Sequence, residues 1–273
     1  MTDNQRIVKS IAKLLAGIII ILMIVGVVSF IFRVANLISY YTDNESSPET
    51  SIIYADEENS IKSMSIDIEA SSLTIKKGDY LFVESNNKRV VSKERNGTLY
   101  ISESGSDWIV KSNNIKIVIC IPENMSFEEI ELNTGASVVN VEKLCTDRID
   151  IELGAGKVTF DTLISAKQTS IDGGAGNFTV HGGSLKNLEI DWGVGNAEIT
   201  AEILGSSEID SGVGNLELNL IGTVESYKIY ADKGLGNFTV DGKSISDGDV
   251  IGNGSNVIDI DSGVGNINVC FVK

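Results

Sequence analysis

The chain has 273 residues, a formal net charge of −16, two prolines, 27 glycines and 6% aromatic residues. The sign of that charge excludes nucleic-acid binding, which requires a basic surface against the phosphate backbone. Many glycines and few aromatics argue against a large helical enzyme core and suit short strands joined by tight corners.

Residues 1–13 are polar and carry Arg6, Lys9 and Lys13 against Asp3. Residues 14–32, LLAGIIIILMIVGVVSFIF, then run without a charge. A helix of that length spans about 28 Å, close to the roughly 30 Å hydrocarbon core of a bilayer. A cleaved secretion signal has a shorter apolar stretch and a small-residue site, whereas this run ends Ile31-Phe32-Arg33. The sequence therefore predicts one uncleaved transmembrane helix. The basic residues ahead of it place a cytoplasmic tail at 1–13 and the rest of the chain outside the cell, in a single-pass arrangement. With residues 1–33 at +3, residues 34–273 carry −19 and are expected to repel nucleic acid and anionic lipid.

Residues 33–60 are rich in Ser, Glu, Asp and Asn, include Pro48, and read as an acidic linker. Alternation of apolar and polar residues, the mark of strands, begins near Ile61. Residues 61–131 read as an irregular opening β half. Within it 66–75 resembles a worn copy of the later repeats, and 80–83, 99–102 and 115–121 are strand candidates, the last ending at Pro122.

The regular half, 132–273, repeats one phrase. Gly-Ala-Gly-Lys stands at Gly154, Gly-Ala-Gly-Asn at Gly174, Gly-Val-Gly-Asn at Gly193, Gly212 and Gly263, and Gly-Leu-Gly-Asn at Gly234, with a degenerate copy at Gly135. The first glycines are 19, 20, 19, 19, 22 and 29 residues apart. A period near 20 marks a stacked-repeat fold. Counted from the first glycine, −3 is Ile151, Ile171, Ile190, Ile209, Ala231 and Ile260, and +4 and +6 are likewise apolar. The predicted unit is two short strands joined by a corner at Gly-x-Gly-Asn, with −3, +1, +4 and +6 all inward. The 29-residue interval, which holds Asp247-Gly248 and Gly252-Asn253-Gly254, is expected to contain a loop insertion.

An N-terminal apolar anchor, a strand ending Ile121-Pro122 and tandem Gly-x-Gly-Asn strand repeats resemble the candidate-adhesin, β-strand-repeat domain family of unknown function. That family includes LiaG-like envelope proteins of Gram-positive bacteria. The resemblance covers about residues 60–272. It implies an all-β fold, a single-stranded right-handed β-solenoid of roughly 20-residue coils on the outer face of the membrane. It implies no agreed activity and no catalytic residues.

The constellation nearest to chemistry is an acidic column at −2: Glu152, Asp172, Asp191, Asp210, Asp232 and Asp261. Stacked strands would set these carboxylates about 4.8 Å apart. Such a column can bind a cation through oxygen ligands, and its spacing is close to that of the carboxylate pair of a retaining glycosidase. The reading favoured here is local: each carboxylate orders its corner as an Asx-turn, accepting the N–H of the glycine two residues on. Asn177, Asn196, Asn215, Asn237 and Asn266 at +3 are expected to form a structural amide ladder. His181, the only histidine, is expected at a surface turn. Trp192 is read as packing or as an exposed sugar-stacking residue, and Trp108 as isolated. Cys120 and Cys145 are expected to be small buried hydrophobes and Cys270 to face outward; an odd cysteine count without Cys-x-x-Cys gives no zinc or redox motif.

The expectation is thus a non-enzymatic, membrane-anchored extracellular scaffold, adhesin-like module or envelope-stress accessory. It has no catalytic, cofactor or metal site, and its partner is a cell-wall glycan or an envelope protein. The alternative is a polysaccharide-active β-helix hydrolase or lyase, for which one privileged carboxylate pair in a cleft, with an Arg or Lys beside it, would speak.

Overall fold

The structure is a computed structural model that describes residues 50–56, 60–103 and 115–273. The expected tail and transmembrane helix at 1–32, part of the linker, and Trp108 lie outside the described residues. No helix among the described residues is long and apolar enough to cross a membrane.

The described chain is built of strands. In order they are β1 (Ser51–Asp56), β2 (Ser63–Ile68), β3 (Ser71–Gly78), β4 (Leu81–Ser85), β5 (Val90–Arg95), β6 (Thr98–Glu103), β7 (Ile115–Pro122) and β8 (Phe127–Thr134). There follow β9 (Val138–Val180), β10 (Gly183–Lys186), β11 (Leu188–Leu204), β12 (Ser206–Ile221), β13 (Tyr227–Asp232), β14 (Leu235–Val240), β15 (Lys243–Ser244), β16 (Asp249–Gly252) and β17 (Asn256–Val272). Strand β1 falls inside the stretch expected as linker. Its Ile52-Ile53-Tyr54 core has the β-branched and aromatic composition of a strand, and it pairs antiparallel with β4.

Successive repeats pair in parallel and in register. Ile190 stands beside Ile171 and Ile209, and Asn196 beside Asn177 and Asn215. The result is β-solenoid-like, each turn of about twenty residues completing one layer. The core is the stacked inward residues: Ile66, Leu132, Ile151, Ile171, Ile190, Ile209, Ile260 and Ala231 are all buried. Each such aliphatic side chain contributes roughly 1.5–3 kcal/mol of burial, so one inward column is worth more than the net stability of an ordinary domain before entropy is counted.

The layers do not stack in sequence order. Along the axis the −2 positions run Ser102, Asp67, Asn133, Glu152, Asp172, Asp191, Asp210, Asp261 and Asp232. Strand β17 therefore lies between β12 and the β13–β14 layer, although it comes last in the chain. The long interval before it is not a simple loop insertion. It supplies β14, the second strand of the terminal layer, and the antiparallel strands β15 and β16 laid over that layer. The opposite end is built alike: β6 and β7 stack outside β2 and β3, and β5 and β4 cover them antiparallel. Antiparallel covers shield ends that would otherwise expose a row of unpaired backbone groups.

Position +1 differs from expectation. Val194 and Val213 are half-exposed, and Val264 and Leu235 are 44% and 74% exposed. At Gly193, Gly212 and Gly263 the strand runs through the corner without a break, and at Gly234 it parts into β13 and β14. Inward parity passes from −3 and −1 to +4 and +6, so the flip takes place among the glycines and the +1 side chain stands on the outer vertex. Position −1 turns inward instead, and Leu153 and Trp192 are buried there.

At the first corner Glu69-Ala70 replaces the Gly-x-Gly phrase. In the next layers, corner amides donate to the neighbouring layer: Ala136 N to Glu69 O at 2.6 Å and Ala155 N to Gly135 O at 2.8 Å. The amides of Glu69 and Ala70 donate instead to the Glu103 carboxylate, both at 3.1 Å, and Ser71 Oγ donates to it at 3.2 Å. Arg89 lies 3.8 Å from the other oxygen of Glu103, whose side chain is 2% exposed. One acidic side chain thus stands in for the carbonyls of a missing corner.

Candidate functional site

The corner geometry explains where a site can form. Gly193 packs so closely on the preceding layer that a Cβ there would lie 2.6 Å from Gly174 O. Gly214 has φ +149°, a conformation side chains disfavour, and its missing Cβ would overlap Gly195 O. Two bare backbone columns therefore run along the vertex, with the carboxylate column beside the first. The hollow this leaves is a groove of about 600 Å³ lined by Asp67, Asn133, Glu152, Asp172, Asp191 and the adjoining glycines. A second hollow of about 480 Å³ carries it on past Asp191, Asp210, Asp261 and Asp232, with Lys233 and Asp247 at its edge.

All six expected carboxylates reach this groove, and all are exposed. None accepts a hydrogen bond from its corner glycine or forms an ion pair, so the Asx-turn expectation fails. Corner amides are engaged across layers, as Gly135 N is to Ile68 O and Ala155 N to Gly135 O, both at 2.8 Å, which leaves the side chains in water. At about 4.8 Å in bulk water, neighbouring charges repel by about 0.9 kcal/mol each. Among the described residues no group of three or more His, Cys, Asp or Glu is arranged to hold a metal ion.

A second acidic column, overlooked in the sequence, shares the face. Glu131 and Asp150 stand side by side, as do Glu189, Glu208 and Asp259. They occupy position −4, two residues before the first column and therefore of the same parity, which was the signal available. The two columns give one broad parallel face a lattice of solvated carboxylates.

The other expected residues lie away from it. His181 is exposed just past β9, its amide donating to Phe160 O at 2.9 Å. Trp192 is 2% exposed and packs against Phe178 with ring centroids 6.2 Å apart, which removes it as a surface sugar platform. The amide ladder exists over four of its five expected members: Asn196 donates to Asn177 at 3.3 Å, Asn215 to Asn196 at 2.9 Å and Asn266 to Asn215 at 3.0 Å, while Asn237 stands in register beside Asn266 outside this chain of bonds. Cys120 is buried, whereas Cys145 and Cys270 are half-buried; all three are free thiols.

The profile of the Toastrack DUF4097 family matches residues 60–246, well over half of the chain. The chain belongs to this family. The match starts at the first stacked layers and runs through the terminal β13–β14 layer of the Toastrack domain. No curated protein matches the sequence significantly. Among solved structures, a candidate cell adhesion protein from Clostridium sporogenes is 15% identical, with 82% of this chain and 100% of that one covered and a TM-score of 0.34. A candidate adhesin from Bacteroides fragilis is 13% identical, with 82% and 100% covered and a TM-score of 0.37. A candidate lipid binding protein from Parabacteroides distasonis is 16% identical, with 84% and 98% covered and a TM-score of 0.32. Likenesses this loose carry no argument about function.

Proposed function

We propose that this Toastrack protein is a single-pass membrane protein that displays a right-handed β-solenoid outside the cell as a non-enzymatic binding module. It serves as an envelope scaffold, adhesin-like module or envelope-stress accessory, and its partner is a cell-wall glycan or an envelope protein. The observation that carries this reading is the uniform carboxylate face. It repeats one surface group layer after layer, which suits multivalent contact with an extended partner, whereas a catalytic cleft singles out one pair. The charge-free run 14–32 and the basic residues before it support the anchor and its orientation. The right hand is the sense that parallel crossover connections take.

Two experiments test it. A membrane-impermeant amine label and external protease should reach the β domain in intact cells; protection there would sink the topology. Crosslinking in native membranes should then capture a wall glycan or an envelope protein. Cleavage of wall polysaccharide by the purified protein, lost in Asp191→Asn, would replace the binding reading with an enzymatic one.

A further inference from the structure

Two aromatic side chains are exposed among the described residues, Tyr100 at 45% and Tyr230 at 36%. Both stand at position −4, and they occupy opposite ends of that column. Tyr100 lies beside Ser65, and Ser65 beside Glu131, at the N-terminal end. Tyr230 lies beside Asp259, and Asp259 beside Glu208, at the other end. Eight inter-layer steps of about 4.8 Å separate the two rings, about 38 Å along the stack. The carboxylate face is therefore bounded by a tyrosine at each end. Lys93 is opposite Tyr100, and Val250, 51% exposed, is opposite Tyr230. Lys228 Nζ lies over the Tyr230 ring, 4.8 Å from its centroid, so that ring face is open to an ammonium group.

We propose that this face binds one extended glycan of free-amino hexosamine units, laid along the stacking axis from one tyrosine towards the other. A pyranose ring presents a flat patch of C–H groups that stacks on an aromatic face, and an ammonium group is drawn to the negative face of the same ring. The stacking role that burial denies to Trp192 falls to Tyr100 and Tyr230. Between them the solvated carboxylates accept charge-assisted hydrogen bonds from the sugar ammonium groups. Each ammonium also relieves the repulsion between neighbouring carboxylates. Anionic wall polymers are turned away by the same charge. One layer is about as deep as one sugar of an extended glycan is long, so successive sugars meet successive layers and weak contacts add. The inference rests on the non-enzymatic binding module proposed above and assigns it a glycan.

The full chain in lipid nanodiscs provides the test, titrated calorimetrically at mildly acidic pH. The probes are a glucosamine oligomer, an N-acetylglucosamine oligomer of equal length and oligolysine. Circular dichroism reports the fold, and mass spectrometry the length of the recovered glycan. The glucosamine oligomer should bind severalfold more tightly than either other probe. Tyr100→Ala and Tyr230→Ala should each weaken that binding severalfold, and Tyr100→Phe and Tyr230→Phe should retain it. Absence of glucosamine binding, or binding that both alanine variants leave unchanged, overturns this inference and leaves the binding module standing. Equal binding of the N-acetylated oligomer overturns the role of the ammonium groups. Oligolysine bound as tightly as the glucosamine oligomer overturns the inference in favour of a basic peptide. A shortened glycan overturns the non-enzymatic module and this inference together.

Discussion

The Trp192 indole occupies the space that a side chain at Gly173 would need. The two residues share position −1 in adjacent layers, and a Cβ at Gly173 would overlap the indole ring. The pair explains why one layer tolerates a tryptophan at a position held elsewhere by Leu153, Ser211 or Ser262. Gly173→Ala is expected to destabilise the protein by about 1–3 kcal/mol through overpacking. In Trp192→Ala the same change should cost less, giving a coupling of at least about 0.5 kcal/mol in a denaturant double-mutant cycle. Additive effects would contradict the contact.

The corner glycines give a second expectation. Gly214→Val places a branched side chain at φ +149° against the Gly195 carbonyl, and should lower stability by a few kcal/mol. Glu217→Val, at an exposed position on the same strand, should shift the melting temperature little. Similar small shifts for both would refute the close stacking.

A third concerns the carboxylate column. Asp210 stands between Asp191 and Asp261, and no hydrogen bond ties it to its corner. Asp210→Asn should therefore raise stability by up to about 1 kcal/mol in low salt, with the gain fading as added salt screens the row. EDTA should leave the melting curve unchanged. A calcium-dependent rise in melting temperature, lost in Asp210→Asn, would make the column a cation site.

The fourth is a pH dependence. Tyr227 donates to Ile221 O at 2.6 Å and accepts from Ile203 N at 3.4 Å, pinning the terminal layer to its neighbours. Burial, with Glu202 nearby, pushes its hydroxyl above the ordinary value of 10.0. Because the folded state favours the neutral phenol, its contribution is fully present below pH 10 and is lost as pH rises through the folded value. Tyr227→Phe should cost about 1–2 kcal/mol at neutral pH and flatten that alkaline limb in pH-dependent unfolding. An unchanged alkaline limb would show that Tyr227 is not the group responsible.

What was legible in the sequence follows the period. The isoleucines at −3 and the asparagines at +3 could be placed because in-register stacking turns sequence spacing directly into contact. The outward vertex at Leu235 could not be placed, because two glycines leave the parity of the residue between them undetermined. Glu103 was missed for a different reason. It caps a corner more than thirty residues away, in a layer where the phrase is absent and no local pattern marks the partner. The carboxylate column was visible, but its role was misassigned: the glycine amides were assumed to need side-chain acceptors, and the neighbouring backbone already supplied them.

The placement of β17 between β12 and the β13–β14 layer bears on how the chain is made. A solenoid stacked in sequence order can lengthen layer by layer as it emerges from the ribosome or translocon. Here a chain that has emerged only as far as Ser255 holds β13 and β14 with no parallel neighbour, and β12 with one edge bare. Both wait for the same seventeen residues, Asn256–Val272. Strand β17 is thus a keystone, and a chain cut short before it loses two layers rather than one.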